Sequence, residues 1–294
     1  MLRADLSSPS TMSAFTAASG NSDGFSGEKK HTQATDIKFG DTFRIISSVF
    51  SETLLKKVNK EIEDDKTYFN SDFVNRFLDT RLRVKDLNPS EIFEKIKLDN
   101  MFGNPRLFAT LCFRQPIQFD KNGRLINKDA FQKVCSTTSS LALRALCSDA
   151  LEKMANELQW WGRSVEVTIQ LLRYPLITSK GMKGMPWHRD NYRKSMVVQL
   201  NDNTNSTGTG VKYSGGGLNI GKLGSDDEWG FKRPVEGTVE NYSYGPNGTN
   251  CGNWGFIFSN YKGQMIHQAE DIVYLSENND DLAEKRILVV FVND

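Results

Sequence analysis

"RILVVFVN", residues 286–293, writes the alternation of a β-strand on two faces at once. Successive strand side chains point to opposite sides, so Arg286, Leu288, Val290 and Val292 share one face. Ile287, Val289 and Phe291 share the other, and both faces look buried. The arginine that opens the run is the anomaly. A guanidinium pointing into an apolar interior is costly unless it meets an anion. Three readings stay open for Arg286: an internal Asp or Glu partner, a strand-end position that reaches water, or a fixed fork for a carboxylate ligand.

Working outward from that strand, the chain after Trp161 is a series of short β-branched or aromatic runs separated by Gly, Asn, Asp and Pro. "SVEVTIQLLRY", "MVVQLN", "GGGLNIG", "GTVENYSY", "NWGFIFSN", "MIHQAEDIVYL" and "RILVVFVN", together with the segment carrying "WHRD", predict about eight strands, as in a double-sheet jelly roll or cupin-like barrel. The part before Trp161 reads differently. "FRIISSVF" (43–50) predicts a first strand and "RLFATLCF" (106–113) another. "SETLLKKVNKEIEDD" places Leu54, Leu55, Val58 and Ile62 at helical spacing behind a Ser51 cap. Shorter helices are predicted over 71–82 and 88–102. A long one starts near Lys128 and breaks around Thr137 to Ser140. Helices first and strands afterwards give an α+β fold, a double-stranded β-helix with a helical layer packed on one sheet. The expected organisation is a disordered tail over 1–36, a helix-rich part over 37–163 and the jelly-roll core over 164–294. The polar stretch 222–252, with Trp229, reads either as a lid over the barrel mouth or as ordered decoration.

Charge and cysteine usage narrow the function classes. Lys+Arg 37 against Asp+Glu 36 removes the electrostatic signature of a duplex binder, so no nucleic-acid partner is expected. The four cysteines are scattered with no zinc-ligand spacing, which reads as buried thiols in a reducing compartment. No apolar run is long enough for a secretory signal or a membrane span, and a cytoplasmic protein without a membrane partner is expected.

Of three histidines, His31 falls in the tail, and the other two lie in predicted strands. In "MPWHRDNY" (185–192), His188 and Asp190 are spaced i, i+2, which on a strand puts both on one side about 6.5 Å apart. A lone His-x-Asp pair is weak. His267, in "MIHQAEDIVYL", adds a second imidazole. Two histidines and one carboxylate around an ion leave three coordination positions open. That suits iron(II) with a chelating cosubstrate and dioxygen, and an internal arginine suits a cosubstrate with a second carboxylate. A non-catalytic cupin-like metal- or ligand-binding module and a zinc hydrolase are the alternatives.

Seven pieces in order, "IQLLRYP" (169–175), "WHRD", "VVQLND", "GGGL", "GFIFSN", "IHQAE" and "RILVVFV", resemble the iron(II)/2-oxoglutarate-dependent dioxygenase superfamily, in its branch with prolyl-hydroxylase-like cores. The resemblance covers about 164–294. It implies His188, Asp190 and His267 as iron ligands, Arg286 as the residue holding the distal carboxylate of 2-oxoglutarate, and Tyr174 as an aromatic beside that cosubstrate. It also implies iron(II), 2-oxoglutarate and dioxygen as cofactors and cosubstrates. The implied activity is hydroxylation of a C–H bond in a protein side chain or a small molecule. Arg286 lies farther beyond His267 than the basic residue in many such cores, across "YLSENNDDLAEK". The paired-arginine pattern of the nucleic-acid demethylase branch is absent from "RILVVFVND".

Overall fold

Strand β12 (Glu284–Asn293) is bonded along both edges, antiparallel to β3 (Ser164–Pro175) and to β4 (Lys194–Gln199). The computed structural model describes residues 43–64, 107–134, 140–175, 184–203, 212–227, 232–260, 265–275 and 284–293. The predicted tail and the predicted helices over 71–82 and 88–102 lie outside the described residues.

Around β12 a sheet of six strands is ordered β1-β9-β4-β12-β3-β2, where β1 is Phe43–Ser47, β2 Leu107–Gln118 and β9 Trp254–Ser259. A second sheet is built on β6 (Leu218–Asp226). It pairs with β10 (Met265–Ala269), β7 (Lys232–Pro234) and β8 (Glu240–Tyr242). A two-stranded ribbon joins β5 (Tyr213–Gly215) to β11 (Ile272–Tyr274). Every ladder is antiparallel.

The two faces of β12 enter different cores. Leu288, Val290 and Val292 pack with Val167, Ile169, Leu171, Met196 and Val198 against the helices. Ile287 and Val289 pack with Leu172, Tyr174, Leu218, Ile220, Phe256 and Phe258 between the sheets. The fold is thus a jelly roll with a helical layer on one sheet.

That layer contains α1 (Glu52–Asp64), α2 (Lys128–Val134) and α3 (Leu141–Leu158). In α1 the expected stripe is realised: Leu55, Val58 and Ile62 are buried, and Ser51 Oγ accepts a bond from Leu54 N at 3.3 Å. Of the expected break only Ser140 lies within the described residues; its backbone is extended, and it caps α3 by accepting from Leu143 N at 3.0 Å. Helix α3 ends on Gln159 in the left-handed conformation (φ 55°), whose N–H bonds back to Ala155 and Asn156 carbonyls. Along α3 the residues Leu143, Leu146, Cys147, Ala150, Leu151 and Met154 are fully buried, which makes it the main lid on the six-stranded sheet.

Two expectations change in detail. From β3 onward the described residues form ten strands rather than about eight: the short β5, β7 and β11 are additions, and the segment carrying "WHRD" drops out. The "WHRD" segment is not a strand. It is irregular chain that touches the sheet through a single bridge, His188 to His267. The strands expected at 43–50 and 106–113 are β1 and β2, and they form the two edges of the six-stranded sheet. Within 222–252, β7 and β8 both pair with β6 and decorate the smaller sheet, while Trp229 lies outside the described residues. Cys147 is buried and Cys251 half-buried. Among the described residues no helix is long and apolar enough to cross a membrane.

Candidate metal centre

The irregular chain after Gly184 is fastened to β10 by one reciprocal pair of backbone bonds. His188 N donates to His267 O at 2.9 Å and His267 N to His188 O at 3.0 Å. Directly opposed residues of an antiparallel pair project side chains together. The two imidazoles accordingly sit side by side, ring centroids 4.2 Å apart. Asp190 then folds toward both: its Oδ1 is 3.6 Å from His188 Nε2 and 3.7 Å from His267 Nε2. One ligand atom from each residue lies within 4.8 Å of the others, and among the described residues no further His, Cys, Asp or Glu joins this group. These separations are too long for hydrogen bonds and suit donors that share an ion.

Each donor is prepared for that role by its surroundings. His188 Nδ1 is 2.8 Å from Pro186 O. A carbonyl can only accept, so Nδ1 carries the proton and the lone pair on Nε2 is left facing Asp190. His267 is 5% exposed and lies against the Phe258 ring at 4.6 Å. Burial first, and His188 second, push its pKa down to about 4 against the pull of Asp190, so the ring is neutral at pH 7 and able to ligate. Its buried Nδ1 has no hydrogen-bond partner. Asp190 Oδ2 accepts from Ser195 Oγ at 2.5 Å. Two imidazoles and one carboxylate form a donor set that fits iron(II).

The structure separates Arg286 from this group. Arg286 shares the helix-facing side of β12 with Leu288 and Val290. Its Nε donates to Glu284 Oε1 at 2.9 Å, and its Nη1 donates to Asn59 Oδ1 at 3.0 Å and Glu63 Oε1 at 3.2 Å on α1. Glu284 is also gripped by Arg173 through two bonds of 2.7 and 3.0 Å. The two arginines hold the Glu284 carboxyl below its ordinary value despite burial that works the other way. Arg286 therefore has the internal acidic partner that was one of the three readings the sequence left open.

The basic residue on the barrel face is its neighbour, Lys285. It is 2% exposed, and its Nζ donates to Gly216 O and lies 4.7 Å from the centre of the Tyr244 ring. Gly216 has φ +76°, in the left-handed region open to glycine, within the "GGGL" turn. Among the described residues no carboxylate oxygen lies within salt-bridge distance of Lys285. Burial pushes its pKa down to about 7, with only the more distant Glu270 opposing. Tyr174, expected beside the cosubstrate, is directly opposite Lys285 in the β3–β12 ladder and is buried in the inter-sheet core.

Sequence reasoning missed Lys285, because what places it is the pairing of two strands. Opposed residues in an antiparallel ladder share a face. With Tyr174 inside, its partner Lys285 is inside as well, and Arg286 is outside with Arg173. Tyr192, just beyond Asp190, is engaged within the fold. It stacks on Phe291 at 4.7 Å and donates to Thr168 Oγ1 at 3.4 Å.

Arg286→Ala should consequently act on stability. Removing one partner of a buried pair costs about 3 kcal/mol, with Arg173 still on Glu284 and exposed Glu63 adding little. In a chain of this size that lowers Tm by roughly 6–12 °C. Differential scanning calorimetry and a 2-oxoglutarate titration on the folded variant check this together. Weakened 2-oxoglutarate binding at unchanged Tm would return the anchor to Arg286.

No protein-family model and no curated protein matches the sequence. Solved structures do. A bsmA homolog from Methylobium petroleophilum is 14% identical, with 87% of this chain and 90% of that one covered at TM-score 0.48. A prolyl hydroxylase from Trichoplax adhaerens, in complex with a hypoxia inducible factor oxygen degradation domain peptide fragment, is 14% identical over 87% and 85% at TM-score 0.45. A Pseudomonas putida prolyl-4-hydroxylase is 12% identical over 86% and 93% at TM-score 0.38. The structural neighbours include prolyl hydroxylases and other 2-oxoglutarate/iron(II) oxygenases. At such low identity, function has to be read from the side chains of the site.

Proposed function

We propose that this chain is an iron(II)- and 2-oxoglutarate-dependent oxygenase that hydroxylates an unactivated C–H bond in a protein side chain or a small molecule. The observation that carries the reading is the convergence of His188, Asp190 and His267 on one point within the jelly roll. Lys285 supports it as a buried amine on the barrel face with, among the described residues, no carboxylate within salt-bridge distance. Iron(II), when bound, supplies the activation of dioxygen coupled to decarboxylation of 2-oxoglutarate to succinate.

The chain's own residues perform the remaining tasks. His188 and His267 offer ring nitrogens and Asp190 a carboxylate oxygen, leaving three positions for the cosubstrate and dioxygen. Lys285 holds the far carboxylate of 2-oxoglutarate, with Tyr174 opposite it on β3; Lys285 takes the role first expected of Arg286. Tyr244, Phe256, Phe258 and Leu172 wall the interior with apolar surface, which excludes water and strengthens the charge pairing of Lys285.

An anaerobic titration with iron(II) and 2-oxoglutarate tests the proposal. The expected result is the visible charge-transfer band of a 2-oxo acid chelated to iron(II), followed on exposure to oxygen by succinate formation. Metal binding without that band would leave the non-catalytic metal-binding module.

A further inference from the structure

An aspartate can give a metal one oxygen or two, and the choice decides how many positions remain. With two histidines and one carboxylate oxygen, a six-coordinate ion keeps three positions; a bidentate carboxylate leaves two. A 2-oxo acid takes two by itself, so the third position for dioxygen depends on Asp190 binding through a single oxygen.

The surroundings of Asp190 divide its two oxygens. Oδ1 faces the Nε2 atoms of both histidines, and Oδ2 accepts the Ser195 hydroxyl at 2.5 Å. Ser195 stands on β4 and is fully buried. Behind it, Asn260 Nδ2 donates to Ser195 Oγ at 3.1 Å, and Asn260 N donates to Arg193 O at 2.8 Å. Asn260 is 8% exposed, so this relay is shielded from solvent.

The direction of the relay follows from proton counting. A serine hydroxyl has one proton. An ionised carboxylate has none, so Ser195 must donate to Asp190. The Oγ lone pairs then require a donor behind them, which is the amide nitrogen of Asn260. Reversing that amide would face Asn260 Oδ1 toward Oγ and set two acceptors against one hydroxyl proton. The orientation that leaves Asn260 Oδ1 without a partner is therefore the one that serves Asp190.

We infer that Ser195, oriented by Asn260, is a positioning residue that occupies Asp190 Oδ2 and keeps the carboxylate monodentate, preserving the third open position on the metal. The inference rests on the metal site proposed above. Losing an outer-shell partner of a metal ligand typically costs 10–100-fold in affinity, and Ser195→Ala should fall in that range. Ser195→Thr keeps the hydroxyl on a strand position that tolerates β-branching, and it should restore most of the affinity. Asn260→Ala should lie between wild type and Ser195→Ala.

The experiment is an anaerobic titration of wild-type protein and these variants with cobalt(II), read by visible absorption. The d–d spectrum reports coordination number, and thermal unfolding is recorded in parallel. The expected result is a roughly 10–100-fold weaker Ser195→Ala site with an altered cobalt spectrum, and a Ser195→Thr spectrum like wild type. Wild-type affinity and spectrum in a folded Ser195→Ala would overturn the inference while leaving the triad standing. Equal loss in Ser195→Ala and Ser195→Thr would overturn it too, by showing that side-chain volume and not the hydroxyl matters. No cobalt bound by wild type would instead overturn the proposed function.

Discussion

His188→Ala, Asp190→Ala and His267→Ala should each abolish stoichiometric iron(II) binding while the chain stays folded. Each removes one of three donors that meet within 4.8 Å, with no fourth among the described residues to replace it. The loss should exceed the 10–100-fold that follows removal of an outer-shell partner. The bond that seats the "WHRD" segment on β10 is between backbone groups, so alanine at either histidine keeps it. His267→Ala also removes a buried nitrogen that has no partner. Elemental analysis after anaerobic loading gives occupancy, and circular dichroism gives the fold. Full occupancy in any one variant would remove that residue from the triad.

Lys285→Met should weaken 2-oxoglutarate binding by at least tenfold with iron(II) binding almost unchanged. The lost contact is a charge-assisted one worth about 1.5–3 kcal/mol, and 1.4 kcal/mol is a decade in affinity. Methionine keeps the apolar stem against Tyr244 and omits only the cation. A pH effect accompanies the same residue. Its folded pKa of about 7 lies below the ordinary value of 10.5, because burial disfavours the ammonium form. Between those values the folded chain has released a proton that the unfolded chain keeps. This group therefore makes the ligand-free protein more stable as pH rises from about 7 toward 10.5. Binding a carboxylate there needs the proton back. Above pH 7 the affinity for 2-oxoglutarate should fall, approaching tenfold per pH unit, with proton uptake on binding. Calorimetric titration at pH 8.5 in two buffers of different ionisation enthalpy measures that uptake. Equal heats in both buffers, or unchanged affinity in Lys285→Met, would place the anchor elsewhere.

The sequence by itself determined that residues 286–293 form a strand covered on both sides and that a helical stripe at Leu55, Val58 and Ile62 precedes it, and it offered one His-x-Asp pair and one distant His as candidate metal ligands. Periodicity is local, and a buried stripe or alternation is visible in any window that contains it. Tertiary structure decided the rest. Period-two alternation separates Lys285 from Arg286, but with apolar residues on both faces it does not say which face meets helices and which meets the barrel. The pairing of Tyr174 with Lys285 and of Arg173 with Arg286 settles that, and register is a property of two strands rather than one. The approach of His188 to His267 is equally non-local, resting on one backbone bridge between an irregular segment and β10. Ser195 and Asn260 carry no sequence signal at all, since a serine and an asparagine become supports for a carboxylate only when β4 and the end of β9 bring them beside Asp190.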